Sequence, residues 1–452
     1  MIAVVDQLRA AAAGSVTEDP AAMEAYRYDQ CGFADAGRPL AVVHATSVDD
    51  VVATLKIADA TATPVVTRGT GTGLAGAANA IDGCIVLSTA RLDSILDIDP
   101  VARTARVQPG VINGDLDRAA AAHGLWYAPD PGSRDISSIG GNMATNAGGM
   151  CCAKYGVTAD HALQLTAVLA GGEIIRTGSA TRKDVAGLDL TRLLVGSEGT
   201  LAVIVEATVR LRPRPAHTAT VAATFPTARA AIAAVLAVGD LADPSAVEVM
   251  DRTTVAAINA MTQMGLDESA GAVMLIQCDG PGAAAEASAC AALATEHGAT
   301  EVFHTDDPDE GEALMQARRV AYTALERLGT PLLDDVCVAV HRLPDLLDAI
   351  EQIAEQFQVT IGTFGHAADG NLHPTIVFDP ADADAAARAR SAFDAIVRAT
   401  LALDGTLSGE HGIGVLKAPY LSSQFGEVER ALMSRIKAAF DPNGVLNPGK
   451  AY

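Results

Sequence analysis

Three clusters of glycine and small polar residues within the first 200 positions constrain this chain more than any other feature. The first, Arg68-Gly69-Thr70-Gly71-Thr72-Gly73, closes the apolar run PVVT, which reads as a buried strand. Such a loop can wrap its backbone N–H groups around a pyrophosphate, because glycine takes up the required dihedrals and lets the main chain approach closely. It is not a P-loop, since no Gly-Lys-Ser/Thr follows, and the GTGTGLAG spacing departs from the Rossmann fingerprint. Alone, it serves equally as a tight turn. The second cluster, residues 129–156 (PDPGSRDISSIGGNMATNAGGMCCAKYG), is too long and too rigidly punctuated for an ordinary loop. The third, Gly196 to Thr200 (GSEGT), leads into a further strand. Three such loops in one domain imply an elongated, phosphate-containing ligand lying on backbone amides.

Around these loops the first half alternates short helices and strands. SVDDVVATLKIADAT opens with Ser47 as a helix N-cap, and NGDLDRAAAAHG reads as a helix ending at a glycine. CIVLST and ARTARVQPG read as strands. ALQLTAVLAGGEIIRTG reads as a hairpin about its Gly-Gly pair, and LAVIVEATVRLRPRP as a long strand whose prolines mark a boundary near residue 215. Beyond it, Ala-rich helices such as ARAAIAAVLAVGDL alternate with single strands such as AVMLIQCDG and TIGTFGH. That texture predicts an α+β domain, one antiparallel sheet covered by helices. The expected division is therefore 1–215 and 216–452, with no internal repeat.

Charge divides at the same place. The net −23 splits into 18 basic and 23 acidic residues over 1–215, against 14 and 32 over 216–452. Such a polyanion does not bind nucleic acid by neutralising phosphates. The seven cysteines are scattered, without a CxxC pair, so a thiolate-bound zinc or iron–sulfur centre is not expected. An odd, scattered set suits a reducing compartment. Asp6 and Arg9 interrupt the apolar N-terminus, which reads as an amphipathic helix and not a signal peptide. No apolar stretch reaches the ~18 residues of a membrane span. A soluble, cytoplasmic protein is expected.

The glycine motifs, in this order, resemble those of the FAD-linked oxidases of the vanillyl-alcohol oxidase type. The likeness is to the branch containing D-lactate dehydrogenase, the glycolate oxidase catalytic subunit and D-2-hydroxyglutarate dehydrogenase, and it runs from about residue 35 to the C-terminus. It implies a two-part FAD-binding domain of the PCMH type followed by a substrate domain. By this resemblance Arg68, Gly69, Thr70, Gly71, Thr72 and Gly73 hold the FAD pyrophosphate. Pro131, Gly132, Ser133, Gly140, Gly141, Asn142, Asn146 and Gly149 line the cofactor, and Glu198, Gly199 and Ile204 lie near its adenine-ribose end. Asn447, in the closing DPNGVLNPGK, returns to the flavin, although an Asn-Pro turn equally stops a helix. Relatives that tether the flavin use a histidine in the pyrophosphate loop. None occurs between Pro64 and Asp82, so the FAD is expected to be non-covalent.

In the second half, VTIGTFGHAADGNLHPTIVF sets His366 and His373 on either side of the turn dipeptide Asp369-Gly370, and GTLSGEHGIG carries Glu410 beside His411. Paired as a hairpin, the flanking runs bring both imidazoles together. Two imidazoles and a carboxylate suit zinc or manganese with positions left open, whereas the bland reading has loop histidines capping backbone groups. The resemblance implies that His366, His373 and Glu410 bind a divalent cation and that His411 is the base. A cation lowers the pKa of a 2-hydroxy acid's hydroxyl, His411 takes the proton, and the α-hydrogen passes to flavin N5. EGEALMQARRVAYTALERLG reads as one helix, with Arg318 as the family's clamp on the substrate carboxylate.

One departure is that relatives often carry Pro-Arg in the following strand, where DDVCVAVHRLPDLL has Ala339-Val340. The expected partners are a 2-hydroxy carboxylate, D-lactate first, and an external electron acceptor (quinone, cytochrome or flavoprotein). A homodimer is compatible with this reading. The alternatives are glycolate or D-2-hydroxyglutarate oxidation, or a non-catalytic flavin-binding subunit, which would lack His366, His373 and Glu410. A hydrolytic metalloenzyme would use the cation without flavin. Cys151-Cys152 reads as small buried packing, since neighbouring cysteines bridge poorly.

Overall fold

The computed structural model describes residues 4–12, 14–181 and 183–451. The chain divides into two compact units, one made of 1–148, 156–214 and 410–452, the other of 149–155 and 215–409.

Among the described residues the first unit holds two larger sheets and a two-stranded one, Leu125–Trp126 with Arg212–Pro213. In the four-stranded one, Ala41–His44, Ile85–Ser88 and Val65–Arg68 run parallel, with Ser15–Thr17 antiparallel at the edge. Ala41–His44 and Ile85–Ser88 are buried along their whole length, as strands covered on both faces must be. Val43, Val65, Ile85 and Leu87 pack into one core, while Val42, Val66 and Val86 pack into another. The crossover helix Val48–Thr61 starts where the sequence predicts: Ser47 accepts from the Asp50 amide, and Asp50 caps in return.

The second sheet is antiparallel, in the order Ile95–Asp99, Thr104–Val107, Val203–Arg210, Ala162–Val168, Ile174–Gly178. Its last two strands form the hairpin expected about Gly171-Gly172. The segment 410–452, which the sequence division assigned to the second half, folds with this unit. Its Val445 and Leu446 join the Val65 core, and the amide of Val65 donates to Val445 at 2.7 Å.

The second unit is an antiparallel sheet with helices packed on it. The order is Glu301–Thr305, Thr218–Phe225, Ala272–Asp279, Ala246–Asp251, Thr360–His366, Asn371–Phe378, Thr330–Leu333, and Val336–Cys337 also pairs with Asn371–Phe378. Helix Leu343–Phe357 shows why the helices pack. Leu343, Leu346, Leu347, Ile350 and Ile353 recur at helical spacing and are all buried. Two expectations change here. The single helix expected through Arg318 is two, Pro308–Arg319 and Ala321–Glu326, because Val320 sits at φ −90°, ψ 0°, outside the helical region. The strand expected over DDVCVAVH is only Val336–Cys337, so Ala339 lies beyond its end and Val340 starts a 3-10 turn. Among the described residues, no helix is long and apolar enough to cross a membrane.

Candidate active site

In the first unit, strand Val65–Arg68 delivers the glycine loop at its C-terminal end. A Cβ on Gly69 would stand 2.4 Å from Ser138 Oγ, which is how closely this loop approaches the start of helix Ile139–Thr145. Gly71 has φ +77°, and a Cβ there would stand 2.0 Å from the Arg68 guanidinium. The third cluster and the C-terminal turn arrive at the same strand. Gly199 lies beside Thr67, and Asn447 Nδ2 donates to Ala77 O at 3.0 Å and Glu198 O at 2.7 Å. Lys437 Nζ ties Thr200 O, at 2.6 Å, to Leu446 O, at 2.7 Å. At the centre of these segments, Thr67 Oγ1, Arg68 Nη1, Thr70 Oγ1 and Asn447 Oδ1 are buried without a hydrogen-bond partner.

Two residues that the sequence did not single out support this loop. Asp29 accepts from the Cys31 amide at 2.9 Å and the Ala78 amide at 3.4 Å, while Gln30 N donates to Gly73 O at 2.9 Å. Burial pushes the Asp29 carboxyl up to about 6, against the pull of those amides, Arg68 and Lys450. Lys450, 4% exposed, donates to the carbonyls of Ala77 and Asn79. Contacts spanning some 50 to 370 residues of sequence leave no local signal.

The lining residues of the second cluster have varied surroundings. Asn142 is held by Asn113 and Ser137, and Asn146 caps its helix at φ +54° and accepts from Ala159 N at 2.8 Å. Pro131 and Ser133 shape a turn through their carbonyls, Gly132 is exposed, and Gly140 N donates to Pro109 O. Gly141 N donates to Ser138 Oγ, Ile204 packs into the core of the antiparallel sheet, and Gly149 belongs to the second unit.

Glu198, at φ +52° and 6% exposed, turns its carboxylate onto the amides of Ile413 at 2.7 Å and Gly414 at 2.8 Å. Burial raises its pKa to about 7, outweighing the lowering by those amides and Lys450. Below about 4.5 the carboxyl is protonated whether folded or not. Between that value and about 7 the unfolded chain ionises while the folded one keeps its proton. Glu198 therefore favours folding at low pH, and this contribution is lost as pH rises through about 7. Relative to Glu198→Gln, the wild type should lose about 3 kcal/mol between pH 5 and pH 8. Melting curves of the two proteins across that range check this. A pH-independent difference would mean that the folded carboxyl ionises normally.

In the second unit, the hairpin about Asp369-Gly370 forms as expected, with Thr360–His366 antiparallel to Asn371–Phe378. His366 and His373 are 5% and 2% exposed, and each offers a ring nitrogen within 4.8 Å of the other's. Each ring's Nδ1 is turned to a carboxylate. His366 Nδ1 lies 2.7 Å from Glu248 Oε1, and His373 Nδ1 lies 3.7 Å from Asp335 Oδ1. Asp335 is itself fixed by Asn371 Nδ2 at 2.7 Å and Ser408 Oγ at 2.6 Å. Arg318, 7% exposed, sits 2.6 Å through Nε from Glu248 Oε2, with its guanidinium 4.6 Å from the centre of the Phe364 ring. Burial alone would raise the Glu248 pKa, but His366 and Arg318 hold it below the usual carboxylate value. Arg319, by contrast, pairs with Glu312 near the surface. Glu410 and His411 follow Gly409 as the first residues of the segment that folds with the first unit, 3.6 Å apart from Oε1 to Nε2.

Both halves match established family descriptions. Residues 39–178 match the FAD binding domain, and residues 214–451 match the C-terminal domain of FAD linked oxidases. The chain belongs to the FAD-linked oxidases. The glycolate oxidase subunit GlcD of Bacillus subtilis (strain 168) is 42% identical over 420 residues, covering 92% of this chain and 89% of that protein. The D-lactate dehydrogenase of Archaeoglobus fulgidus is 35% identical over 437 residues, covering 94% and 95%. Among solved structures, p-cresol methylhydroxylase aligns at a TM-score of 0.82 with 17% identity, over 99% of this chain and 96% of that one. That last likeness concerns the fold alone.

As an FAD-linked oxidase the chain is a flavin-dependent oxidoreductase, and the residues of the first unit fit the cofactor. Thr67, Thr70 and Arg68 offer buried donors of the kind a pyrophosphate accepts from. Asn447 Oδ1 is an acceptor suited to a hydroxyl. The second unit fits a divalent cation by its donor chemistry. His366 Nδ1 is at hydrogen-bond distance from a carboxylate, an arrangement that suits Nε2 to a cation, and the donors that lie close enough to share one are His366, His373 and Glu410, or Asp335, His373 and His411.

Proposed function

We propose that this oxidase converts a D-2-hydroxy acid, D-lactate first, to the 2-oxo acid with the help of a divalent cation, zinc or manganese. The observation that carries the reading is the buried group of His366, His373 and Arg318, two imidazoles and a guanidinium in a unit whose sequence is strongly acidic. A bound cation supplies Lewis acidity toward the substrate hydroxyl, and FAD supplies the hydride acceptor. His366, His373 and Glu410 would hold the cation. Two contacts support Glu410 as the third ligand: Ser408 hydrogen-bonds Asp335, and a Cβ on Gly409 would stand 2.4 Å from Asn371 Nδ2, so Glu410 follows directly on a segment held beside His373. His411 takes the hydroxyl proton, and Arg318 binds the carboxylate and orients the α-hydrogen. A non-catalytic flavin-binding subunit has no use for this group.

The names of two relatives favour a second substrate, glycolate; D-2-hydroxyglutarate is a third. The electrons go to an external quinone, cytochrome or flavoprotein. A cytoplasmic setting suits the seven free thiols. The test is an anaerobic screen of D-lactate, L-lactate, glycolate and D-2-hydroxyglutarate. Bleaching of the flavin by D-lactate and not by L-lactate is expected. Equal bleaching by both enantiomers, or none by any acid, would overturn the reading.

A further inference from the structure

Glu248 is 0% exposed, and each of its carboxylate oxygens has a nitrogen of another side chain close by, one in a hydrogen bond and one in an ion contact. On the sheet it lies directly opposite His366, and its Oε1 stands 2.7 Å from His366 Nδ1. Its Oε2 stands 2.6 Å from Nε of Arg318, which arrives on a helix some 70 residues further along the chain. A carboxylate in such a place costs stability unless it is fully paired, and an apolar side chain would serve the sheet better. Its retention calls for another reason.

We propose that Glu248 is the positioning residue of the site, holding the cation ligand His366 and the carboxylate anchor Arg318 at a fixed spacing. This rests on the reading under Proposed function. An ionised carboxylate can only accept, so His366 donates from Nδ1 and Nε2 is the nitrogen that would serve a cation. The ion contact to Arg318 is made through Nε, and the guanidinium carbon stands 4.6 Å from the centre of the Phe364 ring. The two terminal nitrogens take no part in that contact, and a guanidinium fork suits a carboxylate. A 2-hydroxy acid carries hydroxyl and carboxylate on adjacent carbons. One side chain gripping both anchors sets the distance such a molecule must match, so Glu248 selects 2-hydroxy over 3-hydroxy acids.

The test compares FAD-loaded, full-length wild type with Glu248→Gln and Glu248→Asp. Zinc affinity is measured by equilibrium dialysis, and propionate, a carboxylate without the hydroxyl, is used as a competitive inhibitor. Glu248→Gln is expected to lower zinc affinity about 10- to 100-fold and to weaken propionate binding in the same protein. Its preference for D-lactate over 3-hydroxybutyrate should narrow as well. Arg318→Met should weaken propionate alone, and His366→Ala should weaken zinc alone. Glu248→Gln with wild-type flavin content and both affinities within twofold would overturn the proposal. If that variant does not fold, Glu248→Asp decides. It keeps the charge but is one methylene too short to grip both partners, so one affinity should fall while the other survives; two wild-type affinities would overturn the proposal. A wild type that neither binds zinc nor is reduced by any 2-hydroxy acid would sink the underlying reading too.

Discussion

His373→Ala is expected to slow flavin reduction by D-lactate at least about 10³-fold while leaving the flavin spectrum unchanged. His373 is 2% exposed on strand Asn371–Phe378, opposite Phe364, and its ring stands 5.2 Å from that of His366. Deleting the imidazole leaves His366 as the one histidine ligand of the proposed set. Several kcal/mol of Lewis-acid stabilisation would go with the cation, which is where the estimate comes from. The groups assigned to FAD are mostly in the other unit, on 67–73, 138–146, 198–199 and 447, so the cofactor should remain bound. Stopped-flow reduction and an absorbance scan of one sample read both quantities. An undiminished rate would remove His373, and with it the cation, from the reaction.

The opposite separation is expected for Gly71→Val, which should yield a folded protein with less than roughly a tenth of its flavin. At φ +77° a β-branched residue is an outlier, and its Cβ would stand 2.0 Å from the Arg68 guanidinium. That guanidinium is buried, with Tyr26 5.8 Å away, so relief must come from displacing the loop or Arg68 itself. Both are assigned to the pyrophosphate. The second unit, with its own core around Met250, Leu275 and Phe364, should keep the two histidine ligands in place, so most of the zinc affinity should survive. Flavin-to-protein ratio, circular dichroism and zinc dialysis together make the test. Wild-type flavin content would mean that the loop is a plain turn.

These two results would also explain how a strongly acidic protein holds an anionic substrate. The excess acid lies in the second half of the sequence, where the mean field opposes a carboxylate. Attraction has to be local. Arg318 supplies one buried positive charge, already balanced by Glu248, so the net pull falls to the cation.

What the sequence made legible was local. The Ser47 N-cap, the Gly171-Gly172 hairpin and the Asp369-Gly370 hairpin each need only neighbours along the chain, and each formed as read. The glycine clusters were legible as a class because few residue types tolerate φ values such as that of Gly71. What fixes the site was not legible. Glu248 meets His366 across 118 residues, Glu198 meets Ile413 across 215, and Asp29 meets Ala78 across 49. No periodicity announces an acidic residue inside a largely apolar strand such as Ala246–Asp251 as a partner of anything in particular. The helix break at Val320 was hidden for a related reason. Its neighbours include good helix formers such as Arg319 and Ala321, so propensity gives no sign of the break.

The role of the cation is tested by flavin reduction with D-lactate after removal of metal. The FAD-loaded protein is dialysed against a chelator, mixed anaerobically with the acid, and then supplied with zinc or manganese. Reduction should be lost on chelation and restored by either metal, with the flavin content constant throughout. Reduction at an unchanged rate in protein shown to be free of metal would contradict the account.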